Sequence, residues 1–579
     1  MVFASRAFLQ ISRNRSALAS NRSPAKTTDS TQTKLSSTKT NRLTVDPTTL
    51  FPAYNISVPI DHFHNDSMYE PHSNGTFDLR YWFDASYYEA GGPVILLESG
   101  ETRGEDRLPF LQKGILYQLA KATHGIGVVL EHRYYGESWP VPDLSTENLR
   151  FLTTDQALAD TVYFAKNVRF PGLDNLTLTA PDTPYIAYGG SYAGAFVAFL
   201  RKLYPEIFFG AISSSGVTEA IYDFWEYYEA QRLHAPQNCV KTTQELTNVV
   251  DNILIGKNET SYEAKLKEAF GLGNLTYNDD FANLLSYGIS GWQSRNWDPE
   301  ENDPSFSEYC ANVTSDSLLY PGTAALNSTA YDLLDAGGYS EQASRLAPRL
   351  LNFIGYVNLT QVSQCVAKSQ DYCFSNHNAT YYAQDDISQT WRAWPYQYCT
   401  QWGYLQTGSG VPSGQLPLVS RLLDLDYLSI VCRDAFNITT PPDVDSINKY
   451  GGFDLSYPRL AIIDGEADPW RQATPHASAA PNRTSTVSEP FLLIQDAVHH
   501  WDENGLFPNE TKPDLPPAPV ASAQKAEHDF VLEWLKEWSS QRSYRGMSWS
   551  SQRPPLILTG SCRTGIKAGQ VTAMMVRCA

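Results

Sequence analysis

The sequence lacks both an excess of positive charge and any long hydrophobic run. Its 579 residues include 44 Lys and Arg against 63 Asp and Glu, so the formal net charge is −19. This charge argues against a polyanion such as a nucleic acid as the main partner. The longest apolar stretches, such as 193–200, are far shorter than the roughly 18 residues that a membrane-spanning helix needs. We therefore expect no nucleic-acid partner and no membrane span.

Charged residues are also scarce, at 18% of the chain, whereas 42% of the residues are hydrophobic and 12% are aromatic. This composition is typical of a globular protein with a large core. The length would allow about four domains of roughly 150 residues. An α/β enzyme with a large insertion reaches the same size with one core and one inserted unit, and this is the organisation that we expect.

Cys-x-x-Cys pairs are absent, which argues against a zinc site of that type. Six of the eight cysteines lie between Cys239 and Cys432. We interpret them as disulfides whose pairing the sequence leaves open, with buried free thiols as the alternative. Many Asn-x-Ser/Thr sequons favour passage through the secretory pathway with N-glycosylation. The sequons after residue 50 begin at Asn55, Asn65, Asn74, Asn175, Asn258, Asn274, Asn312, Asn327, Asn358, Asn378, Asn437, Asn482 and Asn509.

The N-terminal segment does not fit a secretory signal. Residues 1–45 have no acidic residue before Asp29 and no apolar segment of the kind that a signal peptide needs. By composition this segment resembles a mitochondrial transit peptide. Because the sequons point to the secretory pathway, we interpret residues 1–50 as a disordered extension or a misassigned start. We expect a secreted or vacuolar/lysosomal protein, and we assign no role to the tail at 541–579.

The central pattern predicts a parallel sheet. Short apolar runs, bounded by Gly or Pro and alternating with helical spacing, are typical of strands buried on both faces. We place strands at 94–97, 126–130, 185–188, 210–214, 460–463 and 491–494. A helix with Thr154 as its cap precedes the third of these strands. A closing helix with Phe530, Trp534 and Trp538 on one face follows the last strand.

The alternation stops between residues 220 and 445. This interval is rich in Trp, Tyr and Asn, has short helical patches and contains the six clustered cysteines. We interpret 220–445 as a helical, disulfide-rich lid inserted into a catalytic domain. That domain comprises residues 51–219 and 446–540.

The run Gly-Gly-Ser-Tyr-Ala-Gly at 189–194 stands between a predicted strand and a predicted helix. This context is typical of a nucleophile elbow, in which small neighbours permit a strained turn that exposes the serine hydroxyl. Ser191 is therefore the candidate nucleophile. The motif departs from the usual pattern at Ala193, where Gly is more common. Taken alone, the pattern also fits an ordinary glycine-rich turn.

Candidate partners for Ser191 follow in the order acid and then base, as in α/β-hydrolases. Asp468 follows the strand at 460–463, and His499 follows the strand at 491–494. The histidine would take the serine proton, and the carboxylate would fix its tautomer. His500 is the competing base. Asp464 and Asp502 are the competing acids, and Asp464 fits better as a structural residue at a strand end.

The oxyanion hole needs two N–H donors. The residue after the nucleophile, Tyr192, supplies one in the expected fold. The second would come from the loop after the first predicted strand, where Gly100 or Glu101 is the candidate. The His499-His500 pair also raises the question of a metal site, but no third ligand stands at a suitable spacing. We expect neither a metal nor a cofactor.

Several motifs in the same order resemble the Pro-X carboxypeptidase family of serine peptidases. That family includes lysosomal Pro-X carboxypeptidase, dipeptidyl peptidase II and fungal acid prolyl endopeptidases, and the sequence is most similar to the fungal members. The resemblance covers about residues 55–540. The motifs that carry it are 58–63, 131–138, 152–160, the turn at Ser191, 464–470 and His499-His500.

The resemblance implies an α/β-hydrolase core with a helical lid and a triad of Ser191, Asp468 and His499. It also implies cleavage on the C-terminal side of proline through an acyl-enzyme. Trp470 matches a family tryptophan that helps to wall the proline pocket, whereas a core tryptophan that holds the loop is the alternative. The substrates would be proline-containing peptides or proteins. The choice between carboxypeptidase, dipeptidyl peptidase and endopeptidase stays open, as does the oligomeric state, a homodimer included.

Two other functions are compatible with the same fold. An esterase or lipase would use the same triad on acyl esters without a preference for proline. A catalytically silent binding protein would keep the scaffold alone. We prefer the peptidase because all three triad positions are filled in the expected order.

Overall fold

A computed structural model describes residues 46–257 and 259–550, without the side chains of 542–550. The chain divides into two compact units, residues 1–535 and 536–579, and the sheet and the site below belong to the first. The strands are β1 (Tyr54–Pro59), β2 (Thr76–Asp84), β3 (Val94–Glu98), β4 (Ile126–Leu130), β5 (Tyr185–Gly190), β6 (Phe208–Ser214), β7 (Ile221–Asp223), β8 (Gly403–Leu405), β9 (Leu460–Gly465) and β10 (Phe491–Ile494).

The α-helices fall into three groups along the chain. Those before β7 are α1 (Pro47–Leu50), α2 (Ile115–Thr123), α3 (Thr154–Asn167) and α4 (Tyr192–Leu203). Those between β7 and β9 are α5 (Glu229–His234), α6 (Gln237–Asp251), α7 (Thr260–Ala269), α8 (Asn278–Leu285), α9 (Tyr287–Ser290), α10 (Ser305–Thr314), α11 (Asn327–Ala336), α12 (Ala343–Thr360), α13 (Gln370–Phe374), α14 (Ala379–Tyr382), α15 (Ala393–Gln397), α16 (Leu425–Leu428), α17 (Ile430–Phe436) and α18 (Asp445–Asn448). The last is α19 (Ala518–Ser550).

Eight strands form one sheet in the order β1-β2-β4-β3-β5-β6-β9-β10. The first two pairings, β1 with β2 and β2 with β4, are antiparallel, and all the others are parallel. Each crossover between neighbouring parallel strands has room for a helix, as this topology requires. A mostly parallel sheet with a serine turn after β5 is the α/β-hydrolase fold, so the predicted fold class is confirmed.

The centre of the sheet is the core. Every residue of β3, β4 and β6 is buried, which explains why these strands read as continuous apolar runs rather than alternating ones. Helix α4 is buried along residues 192–201, as expected for a helix that is apolar on nearly all sides. The sheet and α4 thus form a rigid platform for the turn that joins them.

The helical stretch between β7 and β9 carries all three disulfides of the described residues. The pairs are Cys239–Cys310, Cys365–Cys373 and Cys399–Cys432. The interpretation of the clustered cysteines as disulfides is therefore confirmed. The exact lid boundaries at 220 and 445 stay a prediction.

The ends of the chain are only partly described. Of the predicted extension at 1–50, residues 1–45 lie outside the described residues. Pro47–Leu50 form a helical turn. Of the predicted tail at 541–579, residues 551–579 also lie outside the described residues. Among the described residues, no helix is both long enough and apolar enough to cross a membrane.

Candidate active site

Ser191 occupies a strained turn between β5 and α4. Its φ of 60° and ψ of −125° lie in a region that a residue with a side chain rarely adopts. A Cβ on Gly189 would lie 2.2 Å from the carbonyl oxygen of Ala193, and one on Gly194 would lie 2.8 Å from Cα of Gly216. Only glycine fits at these two positions, so the small residues around Ser191 are what allow the turn to form.

The sheet brings the ends of four neighbouring strands to one edge. Ser191, Ser215 and Asp468 come just after β5, β6 and β9, and His499 follows β10. These strands are parallel, so their carboxyl ends face the same edge of the sheet, where α/β proteins place their ligands. The N–H of Ser191 donates a hydrogen bond to the carbonyl of Ser214 at 2.9 Å. The nucleophile turn is thereby tied to the end of the next strand.

Asp468 and His499 form a buried pair. Nδ1 of His499 lies 2.9 Å from Oδ2 and 3.1 Å from Oδ1 of Asp468. The N–H of Trp470 donates a 2.9 Å hydrogen bond to Oδ1. Nε2 of His499 is buried and makes no hydrogen bond within the described residues. With Nδ1–H held by the carboxylate, Nε2 is the nitrogen that can accept a proton.

Burial sets the protonation state of this pair. Burial lowers the pKa of His499 to about 4, although the Asp468 carboxylate acts in the opposite direction. For Asp468, burial raises the pKa, but the interaction with His499 and a hydrogen bond from Ser215 outweigh it, so the net pKa lies below its ordinary value. The imidazole is therefore neutral and the carboxylate ionised from mildly acidic pH upward. This is the state that a general base requires.

His500, the competing base, has a different partner. Its Nδ1 lies 2.9 Å from Oε2 of Glu503, and its N–H donates to Oγ of Ser215 at 2.9 Å. Burial lowers the pKa of His500, but the Glu503 carboxylate outweighs it, so the net pKa is raised. A histidine that is paired and inclined to hold its proton is a poorer general base than His499.

The competing acids make their hydrogen bonds to residues other than His499. Asp464 accepts hydrogen bonds from Thr474 at 2.8 Å and from His476 at 2.6 Å, which agrees with its interpretation as a structural residue. Asp502 accepts hydrogen bonds from Tyr188 at 2.7 Å and from Ser214 at 2.6 Å. Neither carboxylate makes a hydrogen bond to His499 within the described residues.

The oxyanion candidates lie against the start of α4. Gly100 has a φ of 67°, and a Cβ there would lie 3.2 Å from Cβ of Ala193. The loop after β3 therefore covers the residue next to Tyr192, as an oxyanion hole requires. The Tyr192 hydroxyl is 3.0 Å from Nε2 of the buried His132. This contact fixes the side chain of Tyr192 and leaves its backbone at the first turn of the helix.

Trp470 lies beside the histidine in an aromatic cluster. Its ring centroid is 6.4 Å from that of His499, 5.4 Å from Phe224 and Tyr227, and 5.2 Å from Tyr404. Only 3% of Trp470 is exposed, and its indole N–H donates to Gln293 at 2.9 Å. Both interpretations, pocket wall and loop anchor, are compatible with this position.

The helical stretch reaches the two loops of the site through indole hydrogen bonds. The indole of Trp292 donates to the carbonyl of Ala467, and that of Trp297 donates to the carbonyl of Trp501, both at 2.8 Å. Trp501 donates in return to the carbonyl of Arg295 at 2.9 Å. Residues 292–297 thus pack directly against the loops that carry Asp468 and His499.

Some buried polar groups escaped the sequence analysis. Ser215 contacts His500 and Asp468, and its only sequence signal is the serine run at the end of β6. Glu98 and Glu527 are buried carboxyls whose pKa burial raises, to about 8 for Glu98 and well above the ordinary value for Glu527. Neither carries a motif, because a buried acid is recognised only from its surroundings.

Comparison with known proteins identifies the family. A model of the family described as serine carboxypeptidase S28 matches residues 59–514. The chain belongs to this family. It is 56% identical over 493 residues to a probable extracellular serine carboxypeptidase of Arthroderma benhamiae, covering 85% of this chain and 69% of that protein.

More distant relatives share the family. The serine protease vicPa of Bipolaris victoriae is 31% identical, with 74% of this chain and 81% of that protein covered. The thymus-specific serine protease of Mus musculus is 26% identical, with 81% and 86% covered. The predicted resemblance, including its fungal character, is confirmed. As an S28 member the chain is a serine peptidase, and its substrates are peptides.

Proposed function

We propose that this S28 peptidase hydrolyses peptide bonds on the C-terminal side of proline, with Ser191 as nucleophile, His499 as base and Asp468 as its partner. The observation that carries the proposal is the Asp468–His499 pair at 2.9 Å, with Nε2 of His499 buried and unbonded within the described residues. A base in this state needs only the Ser191 hydroxyl as its proton donor.

The chemistry proceeds in two halves. Oγ of Ser191 attacks the carbonyl carbon of proline while Nε2 of His499 takes its proton. The peptide C–N bond then breaks, His499 returns the proton to the leaving amine, and an ester between Ser191 and the proline carbonyl remains. A water molecule, deprotonated by His499, attacks this ester and releases the acid and free Ser191. Asp468 stabilises the imidazolium in both halves.

The negatively charged oxygen that forms in each half of the reaction needs hydrogen-bond donors. We assign this role to the backbone N–H groups of Tyr192 and Gly100. A Cβ on Gly100 would lie only 3.2 Å from Cβ of Ala193, and this close approach supports the assignment. A side chain at position 100 would both strain the backbone and push this loop away from α4.

The aromatic cluster around Trp470 supports the preference for proline. A pyrrolidine ring is apolar and flat, and it packs well against aromatic faces. Trp470 is fixed by the hydrogen bond to Gln293, which also accepts from Tyr227 at 2.8 Å. A wall held on both sides in this way would keep its position when the substrate binds.

Kinetics on two substrate types test this function. We expect an N-blocked dipeptide anilide ending in proline to be cleaved with a kcat/KM at least about tenfold above that of its alanine analogue. A short acyl ester should show no such advantage. Trp470→Leu should reduce the proline preference. Trp534→Leu, at a buried tryptophan that donates to the carbonyl of Val487, is the control for lost packing. Equal rates on the proline and alanine anilides would contradict the proposal, and fast ester cleavage alone would indicate an esterase.

We further propose that the protein is secreted or vacuolar and N-glycosylated, with residues 220–445 acting as a lid over the catalytic domain. Of the sequon asparagines in the described residues, none is buried, so each is open to a glycan. The three disulfides suit an oxidising compartment. A loss of mass on deglycosylation of the native protein is the expected result.

A further inference from the structure

Two histidines and one aspartate converge on the connection between β1 and β2. One ligand atom from each of Asp61, His64 and His72 lies within 4.8 Å of the other two. Strand β1 is at one edge of the sheet, with β2, β4 and β3 between it and the strand that carries Ser191. The cluster is therefore separate from the candidate active site.

The aspartate is held in place by its neighbours. Asp61 is only 2% exposed. Its Oδ1 accepts hydrogen bonds from the N–H of Phe63 at 2.9 Å and from the amide of Gln156 at 2.8 Å. These bonds direct Oδ2 toward His72, whose Nδ1 is 2.7 Å away. Outer hydrogen bonds that orient a carboxylate in this way are typical of ligands at metal sites.

The histidines face each other at the surface. The rings of His64 and His72 are stacked, with their centroids 5.4 Å apart and an angle of 21° between their planes. His64 is exposed and makes no side-chain hydrogen bond within the described residues. Within the residues that the structure describes, no Lys or Arg forms an ion pair with Asp61. The carboxylate thus has imidazole nitrogens beside it and no fixed cation.

We propose that Asp61, His64 and His72 bind one divalent transition-metal ion, with Zn²⁺ as the model ion and water in the fourth position. Imidazole nitrogen and carboxylate oxygen are ligands that Zn²⁺ accepts, at roughly 2.0 to 2.2 Å. The ion replaces the proton shared by His72 and Asp61, so these two donor atoms move apart by roughly 0.6 Å at tetrahedral geometry. Exposed His64 completes the site from the solvent side.

This proposal replaces the expectation of no metal, which rested on the cysteine spacing and on the His499-His500 pair alone. The bound ion would close the loop at 61–72 and, through Gln156, tie it to α3. We therefore infer a structural role. An ion that binds only the folded chain raises its stability and leaves the peptidase chemistry to the residues around Ser191.

Zinc titration of the full-length protein tests the site. The protein carries no histidine tag, is stripped with a chelator and is dialysed at pH 7.5, where free imidazoles are neutral. We expect one Zn²⁺ per chain by calorimetry and a rise in the unfolding temperature of about 1 to 3 °C. His64→Gln and His72→Gln should each weaken binding at least about tenfold. His124→Gln, which removes an exposed histidine 3.1 Å from Glu89, should leave it unchanged.

Three results would overturn the proposal. The first is the absence of stoichiometric Zn²⁺ binding. The second is unchanged binding in His64→Gln, which keeps its fold because the side chain is exposed. The third is a loss of binding only in His377→Gln, which would assign the ion to the other His and Asp group, Asp279, Asp280 and His377. As a measurement that needs no variant, Co²⁺ bound to the wild-type protein should give the visible spectrum of a four-coordinate site.

Discussion

His499 and Asp468 are joined by a 2.9 Å contact between Nδ1 and Oδ2, with only 6% of the histidine and 1% of the aspartate exposed. The neighbouring His500 turns instead to Glu503. Two adjacent histidines thus have separate carboxylate partners. Burial lowers the pKa of His499, whereas the Glu503 carboxylate outweighs burial and raises the net pKa of His500. Of the two, His499 is therefore our candidate for the general base.

Removal of the nucleophile should abolish turnover without unfolding the protein. We expect Ser191→Ala to lower kcat by a factor of about 10⁴ or more, as in other serine peptidases. Ser213→Ala is the matched control, because the hydroxyl of Ser213 is buried at the end of β6 and makes no hydrogen bond within the described residues. A Ser191→Ala protein that retains full activity would refute the assignment.

Two aspartates, Asp464 within β9 and Asp468 just after it, separate catalytic from structural roles. Asp468→Asn should lower kcat by about 10³ to 10⁴, because the amide no longer holds the required tautomer of His499. Asp464→Asn should keep most of the activity and lower the unfolding temperature, since Asp464 binds Thr474 and His476. Steady-state kinetics and thermal unfolding of both variants give the comparison. The reverse pattern would make Asp464 the catalytic acid.

The pH profile should reflect the low pKa of His499. Activity requires the neutral imidazole, so it falls as the pH drops through the pKa of His499, about 4, rather than near the ordinary value of about 6.5. A profile of kcat/KM between pH 3 and 8 reports this value. An acid limb centred near pH 6.5 would show that His499 is not desolvated as the structure indicates.

Stability should fall at alkaline pH because of the buried carboxyls. A carboxyl with a raised pKa binds its proton more tightly in the folded chain, so its contribution is complete below the unfolded pKa and is lost as the pH rises through the folded one. Burial raises the pKa of Glu98 to about 8 and that of Glu527 well above its ordinary value. The low-pKa histidines His132 and His499 oppose this only in part just above pH 6.5, where an unfolded imidazole still holds some of its proton, and no longer above about pH 7.5.

We therefore expect the unfolding temperature to decrease between pH 6.5 and 9. Each such carboxyl adds a slope of at most about 1.4 kcal/mol per pH unit. Glu98→Gln and Glu527→Gln should each flatten the decrease, because a neutral amide does not titrate. Thermal unfolding across this range provides the measurement. An unchanged slope in both variants would place the titrating groups elsewhere.

Much of the fold was predictable because buried parallel strands leave a plain signal. The apolar runs at 94–97 and 126–130 correspond to β3 and β4. The hairpin of β1 and β2 was missed, since a partly exposed edge strand has no continuous apolar run. The predicted cap Thr154 was wrong by one residue. Thr153 caps α3 through a hydrogen bond from the N–H of Gln156 at 3.3 Å.

The candidate site was predictable where a residue follows a strand in a motif. Ser191, Asp468 and His499 met this condition. The partners of Asp502 did not, because Tyr188 and Ser214 become its neighbours only through the packing of separate strands. Glu503, the partner of His500, stands only three residues after it, but no motif marks this residue. Asp61 and His72 were likewise brought together by a loop whose shape depends on Gln156 of another element.

The most direct measurement is the cleavage of an N-blocked peptide of about ten residues with one internal proline, at pH 4 to 7, with the fragments identified by mass spectrometry. We predict cleavage on the C-terminal side of proline, none of the matched peptide with alanine in its place, and none by Ser191→Ala. A cut at the internal proline would indicate an endopeptidase, and release of only the residue after a penultimate proline would indicate a carboxypeptidase. Equal cleavage of the alanine peptide, or cleavage by Ser191→Ala, would contradict proline-directed catalysis by Ser191.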